Sequence, residues 1–378
     1  MSRYGKPHIQ IADLYRAYRK AKVDAFYESS HFHALAFARY EKSLHQNLKR
    51  LQAALQSDRS TWFTSKSLIG GFAYVPKTVN CPDLNGANGV HFSTLDHMED
   101  WRSAFASSGE LAEAKFRQII TPTVDYQIIA ALWIMEAGFA YDGAIDSGVS
   151  YGNRLRRNAH GLNLDCSGLF KPYFSAYRDW RERGLKSMRK SLERGREIFA
   201  VTMDVRQFYH SVDASFCIAD DFLGISGVAL TDFQRQFTAD LVASIDTWYQ
   251  STPDAQSRGP SALPVGLSAS KILSNVFLIE LDRLVVDELA PIYYGRYVDD
   301  IFLVLEVDQP IRDGKEFMRW VAGKIGSRMS YLEQDGDASL RYEASFSPTS
   351  EIVFAGGKQK IFHLRGRTGL DLVDQITE

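Results

Sequence analysis

Cysteine is scarce in this sequence of 378 residues, with only Cys81, Cys166 and Cys217, an odd number of widely separated positions. This spacing gives little support to a disulfide framework or to a zinc knuckle. No stretch approaches the roughly 20 consecutive apolar residues that a membrane-spanning helix needs. The polar N-terminus has no signal-peptide core. We therefore expect a cytoplasmic protein with reduced thiols and no membrane association.

Neither sign of charge dominates, because 44 Lys and Arg residues face 46 Asp and Glu residues, for a formal net charge of −2. Net charge thus says nothing about a nucleic-acid partner, and any such binding must come from local basic patches. The composition is ordinary for a globular protein, 45% hydrophobic and 24% charged, which excludes a disordered or collagen-like chain. The length suits more than one domain.

Hydrophobic periodicity predicts a mixture of helices and strands. Helical spacing of apolar residues predicts helices at 12–27, 35–55, 124–137, 231–249 and 268–289. Extended segments are predicted at 119–122 and 198–205, and Gly, Pro and polar residues predict loops or strand fragments at 69–88, 142–152 and 251–266. The apolar runs 292–297 and 301–305 flank a polar turn and predict a hairpin.

A basic segment is the first candidate functional feature. Residues 178–196 carry eight Lys or Arg side chains against three acidic ones, a local balance of +5. The segment is either a solvated helix face or a surface for nucleic-acid phosphates, where neutralised phosphates release counterions and binding depends on salt. On the second interpretation, Arg189, Lys190 and Arg194 are candidate nucleic-acid contacts.

Aspartates stand at two places where folding alone would favour apolar residues. Asp204 ends the apolar segment 199–203, and the pair Asp299 and Asp300 separates two apolar runs. They could be turn formers, a common role for Asp. However, adjacent or partly buried carboxylates are costly unless a cation compensates them. Mg²⁺ combines one or two carboxylates with substrate phosphates, and two such ions activate a 3′-hydroxyl and stabilise leaving pyrophosphate.

The order of these motifs resembles motifs A, B and C of reverse transcriptases, here Asp204, then Leu263-Pro264-Val265-Gly266, then Tyr297-Val298-Asp299-Asp300. Upstream segments are similar to fingers motifs of the bacterial branch with retrons and group II introns, namely Phe116-Arg117-Gln118-Ile119-Ile120 and Ser150-Tyr151-Gly152-Asn153-Arg154-Leu155. The match spans roughly residues 115–305. Mainstream enzymes have Pro-Gln-Gly in motif B. The Pro-Val-Gly here, with residues 13–22, resembles the defence-associated, abortive-infection branch, including the type that encodes two reverse transcriptases.

The resemblance implies an α+β fold of the right-hand polymerase type. It implies a helical N-terminal extension (1–110), fingers (111–198), a palm with motifs A, B and C (199–310), and the end of the palm with the start of a thumb-like region (311–378). The thumb would be short or absent. The implied activity is RNA-directed DNA synthesis from dNTPs by two-metal nucleotidyl transfer, with two Mg²⁺ ions (or Mn²⁺), in antiphage defence.

The resemblance also implies roles for individual residues. Asp204, Asp299 and Asp300 would be catalytic, and the implied metal site consists of these three residues and Val205. Lys115 would be either a triphosphate contact or an ordinary surface residue.

Three further residues would bind the incoming dNTP. The guanidinium of Arg117 would hold the triphosphate in bidentate fashion. Tyr209 would exclude a ribose 2′-hydroxyl, or else be a core aromatic beside Phe208. Gly266 would permit close backbone approach to the nascent base pair. Arg154 would be either a template contact or a packing residue of the fingers.

The implied partners are dNTPs, an RNA template such as a cognate noncoding RNA, the DNA product, and a second reverse transcriptase or another copy of this chain. Three alternatives remain open. A template-independent or protein-primed DNA polymerase with terminal-transferase-like activity would keep the metal site. An RNA-dependent RNA polymerase would share the acidic residues, but Tyr209 argues against it. A non-enzymatic nucleic-acid-binding scaffold would not need three intact aspartates.

Overall fold

The computed structural model of the chain describes residues 9–28, 33–57, 61–80, 113–159, 161–334 and 336–377, with the isolated positions 99, 102 and 106. Helices and strands are mixed along the chain, which agrees with the α+β class that was expected. The described helices are α1 (Ile11–Tyr27), α2 (Ala34–Glu41), α3 (Leu44–Gln56), α4 (Lys66–Ile69), α5 (Val124–Trp133), α6 (Phe139–Ala144), α7 (Tyr173–Glu193), α8 (Phe208–Ser211), α9 (Asp220–Ser226), α10 (Asp232–Tyr249), α11 (Ser268–Phe277), α12 (Ile279–Leu289), α13 (Gly314–Ile325) and α14 (Gly366–Thr377). The described strands are β1 (Gly70–Asn80), β2 (Glu113–Pro122), β3 (Arg157–Asn158), β4 (Gly161–Leu162), β5 (Ile198–Asp204), β6 (Tyr293–Tyr297), β7 (Asp300–Leu305), β8 (Met329–Gln334), β9 (Asp337–Tyr342), β10 (Ile352–Ala355) and β11 (Lys360–Leu364).

A four-stranded antiparallel sheet, in the order β11-β5-β7-β6, lies at the centre of the fold. Successive side chains of a strand point to opposite faces, and here both faces are covered. Along β5, Ala200 belongs to one buried apolar cluster, whereas Val201 and Met203 belong to the other. Burial on both faces explains why β5 is an almost unbroken apolar run up to Asp204.

Helix α7 covers one face of this sheet. The Trp180 indole donates a hydrogen bond to the Gly295 carbonyl at 2.9 Å, and the Tyr293 hydroxyl donates to the Trp180 carbonyl at 2.7 Å. Gly184 lies directly over strand β7, where an added β-carbon would overlap the ring of Phe302. The helix can therefore approach the sheet this closely only with glycine at position 184.

The chain after Leu305 builds a second antiparallel sheet, in the order β10-β9-β8, and then returns to the first. The sheets are joined at the end of β5, where Val205 bridges to Phe354 and the Arg206 N–H donates to the Val353 carbonyl at 2.8 Å. Strand β11 then adds an edge to the first sheet beside β5. The last quarter of the chain is thus part of the architecture that supports Asp204.

The N-terminal region contributes helices and one long hairpin. Strands β1 and β2 pair in antiparallel fashion, with Tyr74 opposite Gln118. Helix α1 is fixed by Lys20, a buried residue whose ammonium donates to the Cys166 carbonyl at 2.7 Å and the Asn163 carbonyl at 3.2 Å. The segment predicted as extended at 119–122 is the end of β2. The part of the predicted loop and strand region that covers 81–88 lies outside the described residues.

Several predicted elements are confirmed. Helix α1 matches the prediction for 12–27, α10 matches 231–249, and the β6–β7 hairpin matches 292–305. Helix α10 begins with a capping box, in which Thr231 accepts from the Gln234 N–H at 3.3 Å and the Gln234 side chain accepts from the Thr231 N–H at 2.9 Å.

Two long predicted helices are each broken in the structure. The helix predicted at 35–55 is divided into α2 and α3 at Lys42 and Ser43, and the Asn47 amide donates to the Tyr40 carbonyl at 2.9 Å across the break. The helix predicted at 268–289 is divided at Leu278, and we find no side chain that explains the break. The loop predicted to start at 142 begins later, because α6 extends to Ala144.

The cysteines that the structure describes, Cys166 and Cys217, are free thiols, and Cys81 lies outside the described residues. Within the described ranges, every helix is too short or too polar to cross a bilayer.

Gly184→Ala should lower the free energy of unfolding by about 1–3 kcal/mol, because the new methyl group forces α7 away from Phe302. The matched control is Gly323→Ala, on the exposed side of helix α13, where nothing lies within 4 Å of the added carbon. This control should be neutral or stabilising by about 0.5–1 kcal/mol. Urea unfolding followed by circular dichroism measures both variants. Equal free energies of unfolding for Gly184→Ala and Gly323→Ala would contradict the close approach of α7 to Phe302.

Candidate active site

The aspartates of motifs A and C meet at one end of the central sheet. Asp204 and Asp300 are directly opposed in the pairing of β5 with β7, and Asp299 lies in the two-residue turn between β6 and β7. Opposed residues in antiparallel strands point to the same face, with β-carbons about 5 Å apart. A strand end and a neighbouring turn therefore gather three carboxylates from distant parts of the sequence.

The turn that carries Asp299 has an unusual backbone. Val298 has a φ of +62°, whereas Asp299 does not have positive φ. Positive φ at only the first central residue is typical of a type II′ turn, which strongly favours glycine at that position. A β-branched residue in this region is an outlier that the surrounding structure has to stabilise.

A buried polar network lies directly beneath this turn. The guanidinium of Arg296 is fully buried, and its Nε donates to the two Asp282 oxygens at 2.8 and 2.9 Å. The same guanidinium donates to the Val298 carbonyl at 3.3 Å and to the Asn275 carbonyl at 2.7 Å. Asp282 also accepts from the Tyr294 hydroxyl at 2.8 Å. Arg296 thus joins helices α11 and α12 to the strained residue next to Asp299.

Asn275 extends the network to the segment 150–152. Its amide donates to the Gly152 carbonyl at 2.7 Å, and its oxygen accepts from the Ser150 hydroxyl at 3.0 Å and from Arg296. Gly152 contacts the turn directly, since an added β-carbon would lie 2.9 Å from the Val298 nitrogen. The motif Ser150-Tyr151-Gly152 therefore supports the turn from the side through close backbone packing.

Arg154, a predicted nucleic-acid contact or packing residue, has the packing role in this structure. Its buried guanidinium donates to the Asp142 carboxylate at 2.8 Å and to the carbonyls of Asp142, Ile145 and Ser150 at 2.9–3.1 Å. These bonds hold the loop that leads into Ser150. Arg154 does not line the cleft described below.

A cleft of about 710 Å³ lies above the carboxylates. Its walls are the β1–β2 hairpin, the end of β5 with the residues that follow, the segment around Gly266, and the β6–β7 turn. It brings together seven of the residues predicted from the sequence, namely Lys115, Arg117, Asp204, Val205, Tyr209, Gly266 and Asp299. Asp300 is exposed and does not line the cleft.

Positive and negative side chains both line this cleft, and the negative ones include Glu28 and Asp254 as well as the two aspartates of the sheet. Lys115 and Arg117 are exposed and two residues apart on β2, so both point to the same face of the hairpin. Asp204 and Asp299 lie on the sheet side. Four more basic residues line the cleft, namely Lys77, Arg206, Lys271 and Arg258. Such a cleft can hold a polyphosphate between the hairpin cations and cations bound by the carboxylates.

Tyr209 and Gly266 occupy the middle of the cleft. The Tyr209 carbonyl accepts from the Leu263 N–H at 2.8 Å, which fixes this residue against the motif B segment. Burial raises the pKa of the Tyr209 phenol well above its usual range, with a further contribution from the Asp299 charge, so the phenol stays neutral. Gly266 has a φ of +99°, a conformation that favours glycine. The Ile120 N–H donates to the Val265 carbonyl at 3.0 Å and ties this segment to β2.

The sequence did not indicate a chain of contacts across the floor of the cleft. The Tyr74 hydroxyl donates to Asp254 at 2.8 Å, and Arg258 pairs with the other oxygen of Asp254 at 3.0 Å. Arg258 also donates to the side chain of Gln207 at 2.9 Å. The chain links the β1–β2 hairpin to the residues just after Asp204. Burial, with the positive charge of Arg258, lowers the pKa of the neighbouring His210 to about 4.

The predicted nucleic-acid contacts on α7 lie outside the cleft. Arg189 pairs with Asp374 of helix α14, while Lys190 and Arg194 are exposed. In the described ranges, no group of three or more His, Cys, Asp or Glu side chains is arranged as a metal cage. A pair of carboxylates is nevertheless the usual protein share of a Mg²⁺ site, since substrate phosphates and water supply the other ligands.

No protein-family model matches the sequence, and no curated protein matches it. The similarity to reverse transcriptases therefore consists of motifs in a given order. The function has to be argued from the geometry of the cleft and from the chemistry of the side chains in it.

Asn275→Ala should destabilise the fold by about 1–3 kcal/mol, because it removes the buried partner of the Gly152 carbonyl and of the Ser150 hydroxyl and one of the acceptors of Arg296. Ser270→Ala is the matched control on the same helix. Ser270 is equally buried and its hydroxyl makes no hydrogen bond, so this variant should be nearly neutral. Thermal and urea unfolding of both variants checks the difference. A neutral Asn275→Ala would show that the network does not stabilise the turn.

Proposed function

We propose that this protein is an RNA-directed DNA polymerase of the right-hand type, a reverse transcriptase of the defence-associated bacterial branch. The observation that supports this most is the cleft itself. Two aspartates at a strand end and a hairpin turn face a pair of basic residues on a second hairpin, across a volume of about 710 Å³. This is the distribution of charge that a nucleoside triphosphate with its metal ions requires.

Asp204 and Asp299 would hold two Mg²⁺ ions, or Mn²⁺, together with the Val205 backbone. Asp300, opposed to Asp204, would add negative charge or a ligand. These residues fit Mg²⁺ because their ligand atoms are oxygens. Mg²⁺ prefers hard oxygen ligands, usually one or two carboxylates together with substrate phosphates. The ions, when bound, would activate a primer 3′-hydroxyl and stabilise the leaving pyrophosphate.

Lys115 and Arg117 would bind the triphosphate. The guanidinium of Arg117 presents parallel N–H donors that match two phosphate oxygens, whereas the ammonium of Lys115 is a point charge. Both side chains project from the same face of β2, and β2 is joined to the motif B segment by the Ile120–Val265 hydrogen bond. The donors would therefore be positioned before substrate binds, which is the condition for strong electrostatic stabilisation of the reaction.

Tyr209 and Gly266 would select and accommodate the nucleotide. A neutral, half-buried ring packed beside Phe208 would clash with a ribose 2′-hydroxyl. The glycine at φ +99° would leave room for the base pair. On this proposal the β1–β2 hairpin and α5–α6 form the fingers, and the central sheet is the palm. An RNA template, such as a cognate noncoding RNA, and a second polymerase chain would be the partners.

One observation favours a second candidate function, DNA synthesis without a conventional template. Val265 lines the cleft with an apolar side chain, where mainstream reverse transcriptases have a glutamine. Its carbonyl is already used by the Ile120 N–H. With fewer polar groups near the template base, a terminal-transferase-like or protein-primed polymerase would use the same carboxylates and cations.

The test is nucleotide incorporation by the purified protein in Mg²⁺, with each dNTP and each NTP, with and without added RNA. The double variant Asp299→Asn, Asp300→Asn should lose incorporation by a factor on the order of 10³ or more. Asp220→Asn, Asp221→Asn is the matched control, an adjacent pair on helix α9, away from the cleft-lining residues, that should keep full activity.

Each result separates the candidates. RNA-dependent incorporation of dNTPs, lost only in the site variant, supports the reverse transcriptase. RNA-independent incorporation with the same loss favours the second candidate. Incorporation that the site variant retains would contradict both. If the wild type is inactive alone and with RNA copurified from cells, the nucleic-acid-binding scaffold becomes the better hypothesis.

Tyr209→Ala should reduce the preference for dNTPs over NTPs by about tenfold or more, because the clash with the 2′-hydroxyl is removed. Tyr209→Phe is the matched control. It keeps the ring and removes only the hydroxyl, so it should retain the preference. The ratio of kcat/KM for dNTP and NTP measures the effect in all three proteins. An unchanged ratio in Tyr209→Ala would assign Tyr209 to the core instead.

A further inference from the structure

An exposed aromatic surface lies beside the turn that carries Asp299. Tyr173, Phe174 and Tyr177, in the first turns of α7, are 63%, 70% and 37% exposed. Single exposed apolar residues are common, but three exposed large aromatic side chains within five residues are not, and such a concentration usually marks an interaction site. We call these three residues the α7 aromatic surface.

Ring contacts connect the α7 aromatic surface to the turn. Tyr173 and Tyr177 are stacked, with ring centroids 5.6 Å apart and planes at 20°. Both rings meet the ring of Tyr297 edge-on, at 5.4 and 5.5 Å. Tyr297 directly precedes the Val298–Asp299 turn and is paired with Asp300. The aromatic surface and the carboxylates are thus neighbouring parts of one molecular surface.

Positive charge accompanies the aromatic rings. Arg178 follows Phe174 by four residues on the helix, so the two side chains share a face, and Lys171 is exposed just before the helix. Arg178 is only loosely paired with Glu182, at 3.8 Å with both side chains more than half exposed. Arg183 lies over the ring of Tyr151 at 5.6 Å. Exposed rings and exposed cations therefore occur together at the start of α7, beside the exposed acidic residues Asp179 and Glu182.

We propose that the α7 aromatic surface binds single-stranded nucleic acid. Bases would stack on Phe174 and Tyr173, and the phosphates would be neutralised by Arg178 and Lys171. Aromatic rings interleaved with basic residues are how proteins hold single strands, because every base has a π-face and every linkage a negative charge. In a duplex the base faces are covered by stacking, so a duplex would contact only the basic side chains of Arg178 and Lys171. The same surface chemistry suits single-stranded RNA and single-stranded DNA.

The proposal rests on the proposed function for the identity of the strand. If the cleft extends a 3′ end at Asp204 and Asp299, a strand that leaves the cleft past Tyr297 passes directly onto the α7 aromatic surface. The surface would then retain the strand near the carboxylates between additions. The proposal places the nucleic-acid contact on the first half of α7. The sequence had indicated the second half, where Arg189 is paired with Asp374.

The experiment measures binding by fluorescence anisotropy, with no nucleotide or divalent metal, using labelled dT20, labelled rU20 and a blunt DNA hairpin. Phe174→Ala, and Phe174→Ala with Tyr173→Ala, should bind the single strands about tenfold more weakly or worse. Arg178→Gln should lower the slope of log affinity against log salt by about one. The matched control is Phe362→Ala, an aromatic residue 39% exposed on β11, at the opposite edge of the central sheet, which should bind normally.

Weaker binding of dT20 alone supports the proposal with DNA as the strand, and weaker binding of rU20 alone supports it with RNA. Unchanged affinity for both oligonucleotides overturns it. An equal loss on the hairpin also overturns it, because the effect would then not come from stacking. Phe174→Ala alone serves as the test if the double variant has a lower melting temperature.

The outcome is separable from that of the proposed function. Asp299→Asn, Asp300→Asn should keep its affinity for single strands while losing incorporation. A normal Phe174→Ala affinity together with active wild-type incorporation would reject the aromatic surface and leave the polymerase intact. If Phe174→Ala loses affinity for single strands while the wild-type protein shows no incorporation, the aromatic surface is supported and the polymerase is rejected.

Discussion

The buried pair of Arg296 and Asp282 is the interaction on which the arrangement of the candidate site depends. A fully buried guanidinium is costly to desolvate, and it is tolerated only where its donors are satisfied by good geometry. Here they reach Asp282, Asn275 and the carbonyl of Val298. The same bonds hold Val298 at positive φ and so fix the position of Asp299 relative to Asp204 and Asp300. The network stabilises a particular turn, which a well-packed apolar cluster could not specify.

The two kinds of charge in the cleft have different structural supports. Asp204 and Asp299 are attached to a sheet buried on both faces, so their separation is set by strand pairing. Lys115 and Arg117 project from a two-stranded hairpin with exposed side chains. Rigid support suits both sets of residues, since charged groups stabilise a bound ligand best when they are held in place beforehand. The contact of Tyr74 with Asp254 and the hydrogen bond from the Ile120 N–H to the Val265 carbonyl hold strands β1 and β2 against the rest of the cleft.

Much of this arrangement could be predicted from local sequence. The hairpin around Asp299 follows from two apolar runs with a polar turn. Of the seven predicted residues that meet in one cleft, only Asp204 and Asp299 follow from local patterns, and the other five were implied by the resemblance to reverse transcriptases. What could not be predicted depends on pairing between distant segments. The contact of Tyr74 with Asp254, the packing of Arg154 and the edge strand β11 have no local signal, because polar partners and short amphipathic strands are specified only by the folded structure. The break between α2 and α3 is likewise unmarked, because no Gly or Pro occurs between Leu35 and Leu55.

The position of strand β11 in the sequence also determines when the site can form during folding. Strand β5, with Asp204 at its end, gains one neighbour from β7 and its other neighbour only from residues near the end of the sequence, where Lys360 pairs with Thr202. Pairings between distant segments form late, since the loop between them has to be closed first. During synthesis, domains generally fold as units once their residues have emerged. The sheet beneath the carboxylates therefore becomes complete only after the residues of β11 have left the ribosome, so a polypeptide that stops before Lys360 would not present a finished cleft.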